Sequence, residues 1–231
     1  MRGDSQRQYR LRGPGDVTPS HTAAESRVDQ RLRARLAEIA ALESTVDLTK
    51  RDTYLAAAGW NVDAREITLP TEAPGEPEVR GAFALARDIL TAYTFTPERL
   101  IRGAFDPEAP LLERPMLLTA RFLWMRFELG VRVNRVIDET RENNGVTERV
   151  WGYSYHTLAG HMERGEITFE VAKEIASGAV KFRIHSFSQT GHIANWFYRI
   201  GFKLVGRRLQ HRFAEESLTN VRQLVVNALA P

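Results

Sequence analysis

Between Arg149 and Gln189 the chain alternates apolar and polar residues in runs that only extended backbone can use. Ile167, Phe169 and Val171 fall on one side against Glu166, Thr168 and Glu170 on the other, and Val180, Phe182 and Ile184 oppose Lys181, Arg183 and His185. Strand side chains point alternately to the two faces, so each run reads as a half-buried strand. Ala176-Ser177-Gly178 is a short glycine-bearing link that makes the pair a hairpin. Val150 to Thr157 predicts a third strand, with Trp151, Tyr153 and Tyr155 on one face and Gly152, Ser154 and His156 on the other. The loop from that strand to the next holds His161, Glu163 and Glu166.

An apolar sheet face needs a cover, and the flanking sequence offers helices. Val28, Leu32, Leu36 and Ile39 recur at helical spacing after Ser26, a candidate cap. That helix can pack on its own domain or serve a partner chain. Asp47 to Trp60 shows no clean period and extends the helical region at most to Gly59. Glu66 to Leu69 is a candidate first strand. Pro77 opens a helix running to about Tyr93, with Val79, Phe83, Ala86 and Leu90 as its stripe. Thr96 caps a shorter helix that Gly103 ends, and Ala104 to Pro115, with three prolines, is a loop. From Met116 the pattern becomes strand-like. Phe127, Leu129, Val131 and Val133 alternate with polar residues or glycine until Glu142-Asn143-Asn144-Gly145 turns the chain back. Trp124 and Trp196 read as packing residues, and Ser188, Gln189 and His192 as turn and cap residues. Near the C-terminus Ala214, Leu218, Val221, Val225 and Leu229 form one helical apolar face. Strands grouped without intervening helices are α+β order. The expected fold is a curved antiparallel sheet packed around the long C-terminal helix, a helix-grip-like arrangement with an extra N-terminal helix.

Composition removes several chemistries. The 231 residues contain no cysteine, which excludes disulfides, zinc-thiolate sites and thiol nucleophiles. No apolar run reaches the roughly 18 residues of a membrane span, and the polar N-terminus has no signal-peptide core, so a cytoplasmic protein is expected. Met1 to Thr22 lacks periodicity and reads as a disordered lead-in. The formal charge is +3, yet Ile175 to Ala214 carries Lys181, Arg183, Arg199, Lys203, Arg207, Arg208 and Arg212 without one acidic residue. Such a block can meet phosphates or be neutralised by carboxylates distant in sequence, and no nucleic-acid motif accompanies it.

Trp151-Gly152-Tyr153-Ser154-Tyr155-His156-Thr157-Leu158, Gly160-His161, Glu163-Arg164-Gly165-Glu166, Phe169 and Phe187-Ser188 resemble the signature of the DUF1990 (UPF0548) family. Its pattern is a G-T-L-P-G-H-P-E-x-G-E-E-x-F segment, an aromatic-rich strand and an F-S-R-P-like turn. This chain departs from it with His156 in place of glycine, Ala159 and Met162 in place of prolines, Ile167 in place of an acid, and Gln189-Thr190 in place of Arg-Pro. The resemblance runs from about Tyr54 to Val226. It implies a 54–231 domain preceded by a 1–53 extension, and a strand and helix order like that of helix-grip, START-like proteins. It carries no activity with it.

The chemistry therefore rests on the residues. A histidine beside carboxylates can act as a general base, and carboxylates in unlike environments can divide acid and base roles, which makes His161, Glu163 and Glu166 the candidate catalytic set. With His156 the same group has the composition of a 2-His-1-carboxylate metal triad, though holding the turn closed is the commoner task of such residues. Trp151, Tyr153, Tyr155 and His156 are candidate ligand-binding residues if their strand lines a cavity, and sheet packing is the alternative. No P-loop or dinucleotide fingerprint is present, so no cofactor is expected. Three functions follow: a soluble binding protein holding a small, largely apolar molecule between sheet and C-terminal helix, a metal-free acid-base enzyme, and an interaction module using the basic block.

Overall fold

The structure is a computed structural model, which describes residues 23–122, 125–191 and 196–230. Helix α1 spans Ala23–Ala40 and is followed by two short 3-10 turns, Leu48–Thr53 and Ala56–Ala58. Then come β1 (Asn61–Thr68), α2 (Ala82–Thr91), β2 (Ile101–Ala104), β3 (Pro115–Phe122), β4 (Met125–Asn143), β5 (Val146–Thr157), β6 (Glu163–Glu174), β7 (Val180–Thr190) and α3 (Trp196–Leu229). The strands form one antiparallel sheet in the order β1-β7-β6-β5-β4-β3-β2. From β2 to β7 each strand pairs with its neighbour in sequence. Asn144 and Gly145 turn β4 into β5 with φ of 52° and 79°, the left-handed pair that a two-residue hairpin matching strand twist requires. A register shift between Val133 and Arg135 bends β4.

Helices α2 and α3 cover the inner face of the sheet. Phe83, Ala86 and Leu90 of α2 and Phe213, Leu218, Val221 and Val225 of α3 join Tyr153, Phe169, Val171, Phe182 and Ile184 in one core. The α3 stripe ends sooner than its spacing predicts, since Val225 is fully buried and Leu229 is 40% exposed. The side chains of Trp124, Trp196 and His192, and the lead-in Met1 to Thr22, lie outside the described residues.

Local contacts correct several boundaries. Helix α2 starts at Ala82 rather than Pro77, and Val79 is 92% exposed. The Glu72 carboxylate accepts the backbone N–H groups of Glu78 (3.0 Å) and Phe83 (2.7 Å) and ion-pairs with the fully buried Lys173 at 2.9 Å, so the helix can begin only past this anchor. Burial pushes the Glu72 carboxyl up, but these donors outweigh it and hold the group below its ordinary range. The helix expected from Thr96 to Gly103 is a single turn, with Leu100 and Ile101 both donating to the Pro97 carbonyl, followed by β2. Gly103 lies under Tyr93, where a Cβ would stand 2.6 Å from the ring, so this glycine admits the aromatic lid rather than ending a helix. Strand β1 starts earlier than Glu66, and Asp47 to Trp60 forms short 3-10 turns instead of a longer helix.

The outer face is also covered. Leu36 and Ile39 of α1 pack with Leu117 and Leu158, so this helix spends its buried residues on its own sheet. The segment after it is strapped down by a Ser44↔Leu158 bridge, by Thr45 on Thr157, and by the Tyr54, Trp60 and Phe187 ring cluster. No helix among the described residues is long and apolar enough to cross a membrane.

Candidate functional site

The aromatic face of β5, whose side the sequence left open, points inward, and two of its residues are closed into the core. Tyr153 donates to the Leu90 carbonyl at 3.1 Å, and the hydroxyls of Tyr155 and Tyr93 meet at 3.1 Å. Both rings pack on Phe169, with centroids 5.8 and 5.7 Å away. Burial pushes the Tyr155 hydroxyl up to about 12 and keeps Tyr153 protonated as well. Trp151 is partly buried, edge-on to Tyr153. These residues brace α2 against the sheet.

Beyond Tyr155, whose cross-strand partner is Ile167, β5 runs out and β6 begins. Here Ala120, Phe127, Met162 and Ile167 touch the core but stay partly accessible. Glu163 faces the same side as Ile167 by alternation and reaches α3, where the Gln210 side-chain nitrogen lies 2.6 and 2.7 Å from its two oxygens. The same nitrogen is 3.1 Å from the Ser188 hydroxyl on β7. Among the described residues no cation pairs with Glu163, since the nearby Arg207 is engaged with both oxygens of Asp63 on β1. Burial pushes the Glu163 carboxyl up to about 7 against the opposing pull of Gln210 and Arg207. His161 is tied to the same spot. Its Nδ1 accepts the Glu163 backbone N–H at 3.0 Å, so the neutral ring carries its proton on Nε2, and burial pushes the imidazole down to about 4.

Glu166 and His156 lie on the opposite face. They are cross-strand partners beneath the strap, 6% and 3% exposed. Arg51 holds Glu166 through Nε at 3.0 Å and a second, shorter bond from its NH2 group, and Asn134 donates to the same carboxylate at 2.7 Å. Among the described residues His156 has no hydrogen-bond partner on either ring nitrogen, and burial pushes it below its ordinary value. The sheet thus divides the residues that sequence proximity grouped. His161 and Glu163 stay together, whereas Glu166 and His156 are turned away by the period of two, which corrects the expected convergence on one loop. It also dissolves the metal triad, and no cluster of three metal-ligating side chains occurs among the described residues. Further along this outer face, Arg141, Arg183 and His185 line an open recess of about 440 Å³. Its guanidinium groups are already paired, Arg183 with Glu148 and Glu66, Arg141 with Glu170.

Residues 42–220 match the model of a family described as a domain of unknown function, DUF1990. The chain belongs to the DUF1990 family. No curated protein matches it significantly. Among solved structures, this DUF1990 protein is similar to Ara h 8.0201 (TM-score 0.44, 12% identity, 73% of this chain and 99% of the other). It is also similar to TTHA0849 from Thermus thermophilus (0.45, 11%, 74% and 100%) and to the Zhui aromatase/cyclase from Streptomyces sp. R1128 (0.42, 11%, 73% and 92%).

In this DUF1990 chain one site residue, Gln210, escaped the sequence reading and another, Ser188, read as a turn residue but lies within β7, and both left a trace. Gln210 lies one turn before Ala214 on the apolar stripe of α3, and Ser188 holds an inward position of β7 in step with Val180, Phe182 and Ile184. A polar residue at an inward position is the signal, legible only once the partner face is known. The basic block is largely spent in space: Lys181 pairs with Glu174, Arg207 with Asp63 and Arg212 with Glu216. The side chains of Arg199 and Lys203 lie outside the described residues.

Proposed function

We propose that this protein binds a small, largely apolar molecule between its curved sheet and α3, at the end marked by Glu163 and His161. One observation carries the reading: Phe127, Met162 and Ile167 border the inner layer yet remain partly accessible, while Tyr93, Phe95, Tyr153 and Phe169 interlock deeper in the core. Apolar walls with a few convergent polar groups are the usual make-up of a ligand site. Tyr155, the cross-strand partner of Ile167, completes the wall toward the core, with Tyr153 and then Trp151 farther along β5 and His156 behind on the far face. Native mass spectrometry of the purified protein is expected to show a bound small molecule, and Ile167→Trp, which adds bulk to a partly accessible wall residue, is expected to release it without loss of fold. A protein that carries nothing and binds no apolar dye would end this reading.

A metal-free acid-base enzyme is the second reading, favoured by the opposite displacement of two adjacent groups, Glu163 to about 7 and His161 to about 4. In it Glu163 exchanges a proton with the bound molecule while neutral His161 donates a hydrogen bond. Glu166 has only a supporting part, holding the strap through Arg51.

A further inference from the structure

We infer that the molecule bound at this end presents an uncharged hydrogen-bond acceptor, a ketone, aldehyde or ester oxygen, to Glu163 and His161. The inference rests on the ligand-binding reading above and adds what the polar end of the ligand must be. The cluster is a set of donors. His161 accepts the Glu163 N–H through Nδ1, and its remaining ring nitrogen is an N–H donor. Glu163 is held by one amide group that touches both of its oxygens, with no cation from the described residues beside it. A half-buried carboxyl in that setting is most stable protonated, with Gln210 keeping one oxygen and the other carrying an O–H.

Charged heads fit poorly. An ammonium group seeking Glu163 has to displace the Gln210 nitrogen, which already occupies the space in front of both oxygens. A carboxylate head brings a charge into the site with no cation to neutralise it, since the nearby guanidinium of Arg207 is committed to Asp63. The other charged groups on this side, Arg65 of β1 and His211 and Glu215 of α3, engage one another, Arg65 lying 2.9 Å from His211 Nδ1 and 3.2 Å from Glu215. What remains is an oxygen acceptor on an apolar body. Its affinity should track the proton on Glu163.

Four probes with one apolar body separate the cases: naphthalene, 2-acetylnaphthalene, 2-naphthoate and 2-naphthylmethylammonium, titrated by calorimetry or fluorescence against the full chain at pH 6 and pH 8. The ketone is expected to bind tightest at pH 6 and to weaken about tenfold by pH 8 as Glu163 ionises. Glu163→Gln, which keeps a neutral donor, should retain ketone binding and lose the pH dependence. Glu163→Leu should bind ketone and naphthalene alike. Equal affinity of wild type for naphthalene and ketone at pH 6 would overturn the inference and leave the binding reading standing. Tightest binding of the ammonium probe, strengthening with pH, would overturn it in favour of a cation site, and tightest binding of the naphthoate in favour of an anion site. Failure of all four to bind would remove the binding reading itself.

Discussion

Glu163 and His161, two residues apart in the chain, change charge in opposite senses on folding, and this has a measurable effect on stability. The Glu163 carboxyl rises from 4.5 to about 7, so its contribution is complete below pH 4.5 and is lost as pH climbs through 7. The His161 imidazole falls from 6.5 to about 4, so its contribution is complete above pH 6.5 and is lost as pH drops toward 4. In Glu163→Gln only the first effect disappears. The melting temperature of the variant minus that of wild type should therefore increase steadily from pH 4.5 to pH 7.5 in calorimetric scans. A constant difference would mean that Glu163 ionises freely in the folded protein. The alternation Ile167-Phe169-Val171 against Glu166-Thr168-Glu170 was legible from the sequence alone, whereas Glu163 read as part of the preceding loop. Its consequence, that two glutamates three residues apart serve different faces, follows from the same period once the strand is seen to start at Glu163.

At the level of elements, hairpins and long helices were readable and short capped pieces were not. Asn144-Gly145 encodes its turn locally, and the stripe of α3 repeats often enough to survive an error at one end. The Thr96 to Gly103 stretch has a good cap and a good stop, yet Tyr93, a residue outside it, decides its conformation by lying on Gly103. The α2 start is likewise set by Glu72 from the preceding loop. For α3, Val221 is fully buried and Leu229 is 40% exposed, so the two positions make a matched pair. Val221→Asp should cost more than about 3 kcal/mol by placing a charge in the core, and Leu229→Asp should stay within about 0.5 kcal/mol of wild type. Urea unfolding followed by near-UV circular dichroism reads both. Comparable losses at the two positions would show that the whole stripe is buried in solution.

Across the whole molecule, the least legible feature was the second layer on the outer face. Glu166, Glu170, Glu148 and Arg183 alternate with apolar residues and look solvent-facing, yet all four are buried, because Arg51 and Arg141 arrive from other segments to pair with Glu166 and Glu170 while Arg183 pairs with Glu148. Period-two logic assigns a face correctly but does not say whether that face is wet. The candidate site shared this limit, since its inner wall was predictable and its α3 partner, Gln210, was not.

The neighbour-to-neighbour order of the sheet also governs the sequence of events by which the chain reaches this structure. Strands β2 to β7 can zip one hairpin at a time, each closing a short loop. Strand β1 alone pairs out of order, with Thr68 beside Lys181 about half the chain away. Closing so long a loop yields little until the rest of the sheet exists to receive it, so β1 should dock after the rate-limiting step. Val171→Ala in β6 is accordingly expected to slow refolding, whereas Ile67→Ala in β1 should leave refolding unchanged and accelerate unfolding, as read from the two arms of a stopped-flow chevron. If both variants slowed refolding to the same degree, the edge strand would be part of the nucleus, and assembly would begin from the long-range contact rather than from the meander.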